Sequence, residues 1–413
     1  MENLDNILSN IKSASYKMLN LSTSKKNEIL KCISTSLVLN KKSIIEANQI
    51  DLENAYHNNI SSSFVDRLKL DENRIDNLAS SILTLIKIED PVNKILSSFE
   101  TETGLKIDKV SVPFGVIAII YEARPNVTVD ISMMCIKTNN ACILRGGKEA
   151  INTNKVLVSL IQDVLKKYNL DDCIYLISDL RHEVVDELIT KKEYIDLVIP
   201  RGGKALINNV VSKSLVPVIE TGAGNCHIYV ERSAKFDLAI KVIINAKVSR
   251  PSVCNAVESI LVDEDIKDEF LPILKENLDK YGVIIKGCEE STKVIKCDIA
   301  SDDDYYTEYN DLVLSLKVVK DYNDAIKHIN KYSTHHSDAI ISENSTAVKA
   351  FFKEVDSACV YHNASTRFTD GGCFGFGAEV GISTQKLHAR GPMGLDALTT
   401  YKYIISGKGQ VRE

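Results

Sequence analysis

The segment NAKVSRPSVCNAVES, residues 245–259, sets a thiol, Cys254, in a turn-like stretch between a helical pattern and a strand-like run. A cysteine is by default a small buried hydrophobe, and this chain has ten of them, none in a C-x-x-C pair. The surroundings of Cys254 set it apart. Lys247 and Arg250 lie close in sequence, and Pro251 followed by Ser252 can open a short helix with the cysteine at its N-terminal end. Cations and a helix N-terminus both favour the thiolate, which is the nucleophile. The expected chemistry is covalent attack on an electrophilic carbon.

Two further segments echo one another. ILRGGKEAIN (143–152) and IPRGGKALIN (199–208) each read as strand, Arg-Gly-Gly-Lys, then helix. Glycines at such a turn let backbone amides approach an anion, and the helix dipole adds partial positive charge. With Arg145, Gly146, Gly147 and Lys148 in one turn and Arg201, Gly202, Gly203 and Lys204 in the other, the pair reads as a phosphate cradle, or equally as two tight turns with solvated cations. The GAG at Gly222–Gly224 leads into a strand and lacks a third glycine, so it is not the dinucleotide fingerprint. Among eight histidines, His388 in QKLHARGP is expected as an anion contact, and the acidic run SDDDYYTEYND reads as solvated surface. No Cys/His spacing suggests a metal site.

The elements that must position these residues alternate. After a helical first 87 residues and an extended excursion over 90–112, short β-branched runs such as GVIAIIY, ACILR, CIYLI, IDLVIP and VPVIE are each followed by a helical pattern or a new turn. A second series of the same kind begins near Ala234. Repeated strand–helix units predict parallel, doubly wound sheets in two α/β domains, with a cleft where the domains meet near residue 230. The Gly-rich 371–396 region is long, without periodicity, and expected to be functional.

The formal net charge of −6 and sequence pI of about 5.9 argue against a nucleic-acid or anionic-membrane surface. The best apolar run, FGVIAIIY, suits a buried strand and is too short to span a bilayer. The acidic, amphipathic MENLDNILSN does not read as a signal peptide. A soluble, cytoplasmic protein with reduced thiols is expected.

PFGVIAIIYEARPNVTVD, LRGGKEA, IPRGGKALI, GAGNCHIYV, NAKVSRPSVCNAVE, NASTRFTDGG and FGFGAEVGISTQKLHARGPMGLDALTTYKY, taken together and in this order, resemble the gamma-glutamyl phosphate reductase family. That family, also called glutamate-5-semialdehyde dehydrogenases, is the phosphate-reducing branch of the aldehyde dehydrogenase superfamily. The resemblance implies an aldehyde dehydrogenase-like α/β fold of two doubly wound domains with a small β oligomerisation domain. It implies a cofactor domain over 1–95 and 113–232, a catalytic domain over 233–370, an oligomerisation hairpin and strand at 96–112 and 397–413, and loops at 371–396 closing the cleft. The reaction it implies is reduction of L-glutamyl 5-phosphate to L-glutamate 5-semialdehyde plus phosphate through a thioester on Cys254, in proline biosynthesis. A hydrolytic NAD(P)-dependent aldehyde dehydrogenase is the alternative.

The implied roles follow residue by residue. Cys254 is the nucleophile, and its backbone N–H with the Asn126 amide holds the developing oxyanion. Arg124, Arg250, Arg367, His388 and Arg390 hold the substrate's phosphate and carboxylate, which guanidinium groups grip bidentately. Arg145, Gly146, Gly147, Lys148, Arg201, Gly202 and Gly203 bind the cofactor, and Glu308 matches the glutamate that contacts the nicotinamide ribose. Lys148 stands where NAD-dependent relatives carry a ribose-binding glutamate, which points to NADPH/NADP+. Glu220 matches the water-activating glutamate of hydrolytic members and has no required role in acyl-phosphate chemistry. The partners implied are the small acyl phosphate, further copies of the chain as a dimer or tetramer, and a glutamate 5-kinase as the source of the labile substrate.

Overall fold

Apolar residues at three- and four-residue spacing make the N-terminal segments amphipathic helices. In the computed structural model, which describes residues 4–58, 60 and 62–412, these are α1 (Leu4–Met18), α2 (Thr23–Leu39), α3 (Lys41–His57), α4 (Ser62–Leu68) and α5 (Glu72–Lys87). Leu8, Ile11, Ala14 and Met18 form the buried face of α1, and Ile75, Leu78, Ile82 and Leu85 that of α5. Side chains cap two of them: Ser22 accepts from Lys25 N and Asp71 from Arg74 N, satisfying amides that the helix itself leaves open.

The chain divides into two units, Met1–Glu220 with Gly375–Gly381 and Met393–Glu413, and Thr221–Phe374 with Ile382–Pro392. In the first, the hairpin β1 (Ile95–Glu100) and β2 (Lys106–Pro113) is followed by β3 (Val116–Tyr121), α6 (Pro125–Lys137), β4 (Ala141–Arg145), α7 (Ile151–Lys166), β5 (Ile174–Leu176), α8 (His182–Leu188), β6 (Leu197–Arg201) and α9 (Lys204–Lys213). The strands pair in parallel in the order β5-β4-β3-β6, and every residue of β3 and β4 is buried, as strands covered on both faces require. VPVIE, expected as a strand, contributes only a single bridge, Val198 to Val218, because Pro217 supplies no N–H to a ladder.

The second unit carries β7 (Cys226–Val230), α10 (Phe236–Val248), β8 (Val257–Asp263), α11 (Lys267–Asp279), β9 (Ile284–Gly287), α12 (Glu289–Thr292), β10 (Asp298–Ile299), β11 (Val313–Val319), α13 (Tyr322–Tyr332), β12 (Ser337–Ile341), α14 (Ser345–Glu354), β13 (Cys359–His362), β14 (Ile382–Ser383) and β15 (Gly391–Pro392). Its seven-stranded parallel sheet runs β10-β9-β11-β8-β7-β12-β13. The sheet corrects the expected boundary near 232: β7 sits between β8 and β12, so the break precedes it, at 220/221. The stretch from 371 to 396 likewise does not stay in one body, its parts being divided between the two units. Helices α10 and α11 pack on one face of the sheet, α13 and α14 on the other.

The last strand, β16 (Thr399–Ser406), returns to the first unit and pairs antiparallel with β2, giving a three-stranded sheet β1-β2-β16. Among the described residues no helix is long and apolar enough to cross a membrane.

His328 of α13 is buried among Tyr305, Tyr332 and His227. Burial, reinforced by His227, Lys317 and Lys331, holds its pKa down at about 2. The folded value lies below the unfolded one of about 6.5, so its stabilising contribution is complete above that pH and is lost as pH falls toward 2. The unfolding free energy from urea titrations is expected to fall between pH 7 and pH 5 by up to ~1.4 kcal/mol per pH unit, and His328→Phe to make the fall shallower; equal slopes in both proteins would refute the assignment.

Candidate functional site

Cys254 lies in the second unit, on the segment between α10 and β8. The segment is two successive turns rather than a helix, closed by Ala256 N donating to Val253 O at 2.9 Å, so no helix dipole acts on the thiol. Lys247 is not available to it either. Its ammonium is fully buried and paired with Glu258 Oε2 at 2.6 Å. Burial pushes the Glu258 carboxyl up to about 7 and lowers the Lys247 ammonium, each opposed by the other's charge. Glu258 reaches Lys247 because it is the extra residue of a β-bulge: the β7–β8 register passes from Cys226–Val257 to His227–Ser259.

The cations near Cys254 are Arg250 and Arg367. Burial, then the like charge of Arg250, depresses the Arg367 guanidinium, while Asp370 and the Cys254 thiol act in the opposite sense. Arg367 Nε donates to Ser249 Oγ at 3.1 Å and its Nη1 to Asn255 Oδ1, so the guanidinium is fixed against both sides of the Cys254 segment. Asn255 Nδ2 donates to Thr369 O at 2.8 Å, and Thr366 Oγ1 to Asn255 O at 2.7 Å. Two guanidinium groups of like sign beside a thiol make a local field suited to a thiolate and to an anionic substrate.

The floor under the thiol was not evident from the sequence. A Cβ on Gly224 would stand 1.4 Å from the Cys254 carbonyl oxygen, so only glycine fits. Gly224 N donates to Glu308 Oε1 at 2.8 Å, Cys226 Sγ lies 3.2 Å from the Cys254 carbonyl oxygen, and Asn310 N donates to Glu258 Oε1 at 3.3 Å. Glu308 is thus bonded to the strand end that supports the nucleophile. Arg390 and Lys386 both pair with Asp356, at 2.8 and 2.6 Å, and hold its carboxyl down at about 2. His388 is exposed, and its carbonyl accepts from Gln385 Nε2 at 2.8 Å. Arg250 is exposed.

In the first unit the two Arg-Gly-Gly-Lys turns stand at the ends of adjacent parallel ladders. The β4 turn holds Arg145 buried, with Nη1 donating to Gly146 O at 2.7 Å and Nη2 to Leu180 O at 2.6 Å; this guanidinium ties loop carbonyls together, and Lys148 is the exposed cation of the turn. A Cβ on Gly146 would meet Asn154 Nδ2 at 2.4 Å, which explains the first glycine of that pair by packing. The N-terminus of α7 beyond it is capped by buried Asp51, which accepts from Thr153 N at 2.8 Å and Thr153 Oγ1 at 2.6 Å.

At the β6 turn, Gly203 N donates to Glu122 Oε2 at 2.8 Å, and a Cβ on Gly202 would meet the same carboxyl at 2.6 Å. The Cβ position of Gly203 faces open space except for that oxygen at 3.8 Å, and Lys204 is exposed at the start of α9, so the turn can admit a phosphate. Arg201 is half-buried. Arg124 is exposed at the N-cap of α6, and Asn126 one residue into that helix donates from Nδ2 to Asp130 Oδ2 at 3.1 Å, leaving its second amide hydrogen for another acceptor. Burial lifts the Asp130 carboxyl to about 6 against the bond from Asn126. Glu220, half-buried, ends the first and longest segment of the first unit.

Comparison with known proteins places these features in context. The sequence model of the aldehyde dehydrogenase family matches residues 2–294. The gamma-glutamyl phosphate reductase of Nautilia profundicola is 50% identical over 408 residues, covering 98% of this chain and 99% of the relative. That of Dictyoglomus thermophilum is 48% identical, with 100% of both chains covered. The crystal structure of gamma-glutamyl phosphate reductase from Thermotoga maritima is similar with a TM-score of 0.97 and 47% identity, over 100% of each chain. An acetylating aldehyde dehydrogenase from Geobacillus thermoglucosidasius, 16% identical with a TM-score of 0.70, shares the fold.

Proposed function

Because the chain belongs to the gamma-glutamyl phosphate reductases of the aldehyde dehydrogenase family, we propose that it reduces L-glutamyl 5-phosphate to L-glutamate 5-semialdehyde and phosphate, with NADPH as reductant. The observation that carries the reading is the Arg367 guanidinium, held by Ser249 on one side of the Cys254 segment and by Asn255 on the other. The Cys254 thiolate attacks the acyl carbon, the carbon–oxygen bond to phosphate breaks, and phosphate departs with the bonding electrons between guanidinium groups that match its charge. The resulting thioester receives the hydride that the nicotinamide supplies. The thiohemiacetal oxyanion is held by the Cys254 backbone N–H, then collapses as the carbon–sulfur bond breaks and the thiolate returns. Exposed Lys148 favours the 2′-phosphate of NADPH, and the Gly202–Gly203 turn receives the pyrophosphate.

Run in reverse, glutamate 5-semialdehyde and NADP+ are expected to give NADPH, followed by its absorbance, only when inorganic phosphate is present. Turnover without phosphate would mean that water takes the acyl group and that Glu220 is the base.

Glu122 makes a second expectation. It occupies an amide that the cofactor's phosphates would use and places a like charge there. Removing a charge of this kind at a helix N-terminus is worth about 0.3–1 kcal/mol, so Glu122→Gln should tighten NADPH binding by roughly two- to five-fold in a fluorescence titration. Weaker binding would show instead that the carboxylate contacts the cofactor favourably.

The β1-β2-β16 sheet serves self-association: Phe99 and Ile405 meet in one cross-strand row through Ile107 and both are exposed, an apolar patch of the kind that marks an interface.

A further inference from the structure

The α13 face of the seven-stranded sheet departs from its apolar pattern in one row. Asp338 of β12, His227 of β7, Ser259 of β8 and Ser315 of β11 are successive partners across four parallel strands, and all four are buried. One row further along the same strands, Ile340, Tyr229 and Leu261 form ordinary core. The polar row is roofed by His328 of α13, whose ring centroid lies 5.6 Å from that of His227, 5.1 Å from Tyr305 and 4.3 Å from Tyr332. Asn225 closes one end, its Nδ2 donating to Tyr305 O at 2.7 Å and Tyr332 O at 2.9 Å.

Asp338 is satisfied: it accepts from His227 N at 2.7 Å, from Ser333 Oγ at 2.8 Å and from Ser357 Oγ. Ser315 Oγ donates to Glu258 O at 3.4 Å, but its neighbours in the row and around it are not all satisfied. Asn225 Oδ1, His227 Nε2, Ser259 Oγ and both ring nitrogens of His328 are buried without a protein hydrogen-bond partner among the described residues. His227 Nδ1 faces two acceptors, Asn225 O at 3.1 Å and Asp338 Oδ1 at 3.3 Å, so its proton sits there and Nε2 presents a lone pair. One His328 nitrogen can point at the Tyr305 ring, which stands edge-on at 87°, but a contact of that kind is weak and leaves the other nitrogen unpaired.

Buried polar atoms in native proteins have partners, and leaving so many without one in a single layer would consume a large part of an ordinary folding margin. We propose that Asn225, His227, Ser259 and His328 form an internal binding site for a small cluster of ordered water molecules. Five atoms at the usual ~3 hydrogen bonds per buried water call for about two molecules. The chemistry selects water over other small occupants. Asn225 Oδ1, His227 Nε2 and one His328 nitrogen need donors, while Ser259 both gives and takes. A cation would require a charge to balance it, yet the one carboxylate in the row is saturated. Among the described residues no group of three or more His, Cys, Asp or Glu side chains is arranged to hold a metal. Asn225, which closes one end of the site, directly follows Gly224, the residue pressed against the Cys254 carbonyl.

The test combines two measurements on the full chain. A crystal structure fine enough to show waters is expected to place density within hydrogen-bond distance of two or more of these five atoms. Water-17O magnetic relaxation dispersion is expected to count roughly two fewer long-lived internal waters in His328→Leu than in wild type. Direct bonds among the five atoms with no density between them, an anomalous signal from a metal, or an unchanged water count would each overturn the proposal. Should His328→Leu not fold, the wild-type crystal structure decides alone.

Discussion

Cys254→Ala is expected to abolish turnover, by roughly 10⁴-fold or more, while NADPH binding stays within about two-fold of wild type. The size follows from the part the thiol plays. In the proposed mechanism no thioester forms without it, and the guanidinium pair and the backbone amide have no covalent adduct to stabilise. The sparing of cofactor binding follows from the location of Cys254, which belongs to the second unit, whereas the Arg-Gly-Gly-Lys turns belong to the first. The two readouts, reverse turnover with phosphate and a fluorescence titration with NADPH, separate a lost nucleophile from a lost fold. Activity within tenfold of wild type would remove Cys254 from the mechanism.

Breaking the Lys247–Glu258 pair should have the largest effect on stability. Both side chains are fully buried, 2.6 Å apart, and they join the two ends of the segment that carries Cys254. Lys247→Met strands a carboxylate in the interior and is expected to cost about 3–5 kcal/mol in urea denaturation at pH 8. The double variant Lys247→Met with Glu258→Leu removes both charges and should be clearly more stable than the single one. The pH dependence has a definite sign. Burial already raises the Glu258 carboxyl to about 7 with Lys247 present. Without that partner its folded value lies further above the unfolded one, so the deficit of Lys247→Met grows as pH rises and shrinks as the carboxyl takes up a proton in acid. A deficit independent of pH, or a double variant no better than the single, would show that packing rather than charge holds the segment.

Much of this molecule was legible before its structure. Short β-branched runs gave the buried strands β3, β4, β6, β7 and β8 because a doubly covered sheet needs no polar alternation, and GVIAIIY could hardly be anything else. Cys254 was singled out by its neighbours in sequence, but their roles were not all readable. Lys247 looked like an activating cation; its partner is eleven residues on, brought round by a bulge at Glu258 that no local pattern announces. Arg145 and Arg201 looked alike in the two echoed turns, yet Arg145 is spent on loop carbonyls, a difference set by a loop over thirty residues away. Glu122 and Gly224 were missed for the same reason: each acts on a residue distant in sequence, Gly203 and Cys254. Signals for both were present, since EARPN puts an acid at a strand end and GAG puts glycines before β7. What sequence lacks is the pairing that turns such residues into a cap or a close approach.

The antiparallel ladder between β2 and β16 has a consequence for how the protein is made. Its partners Pro113 and Thr399 are separated by most of the chain, including the whole of the second unit's seven-stranded sheet. On a ribosome adding 5–20 residues per second, β2 emerges roughly 15–60 s before β16 exists to pair with it. During that interval the edge of β2 that will receive β16 is open, beside a β1 whose six residues are all exposed. The nascent chain therefore carries an unpaired, partly apolar strand edge for longer than most domains take to fold, and this is the stage of its life at which it has most need of protection from strand-to-strand association.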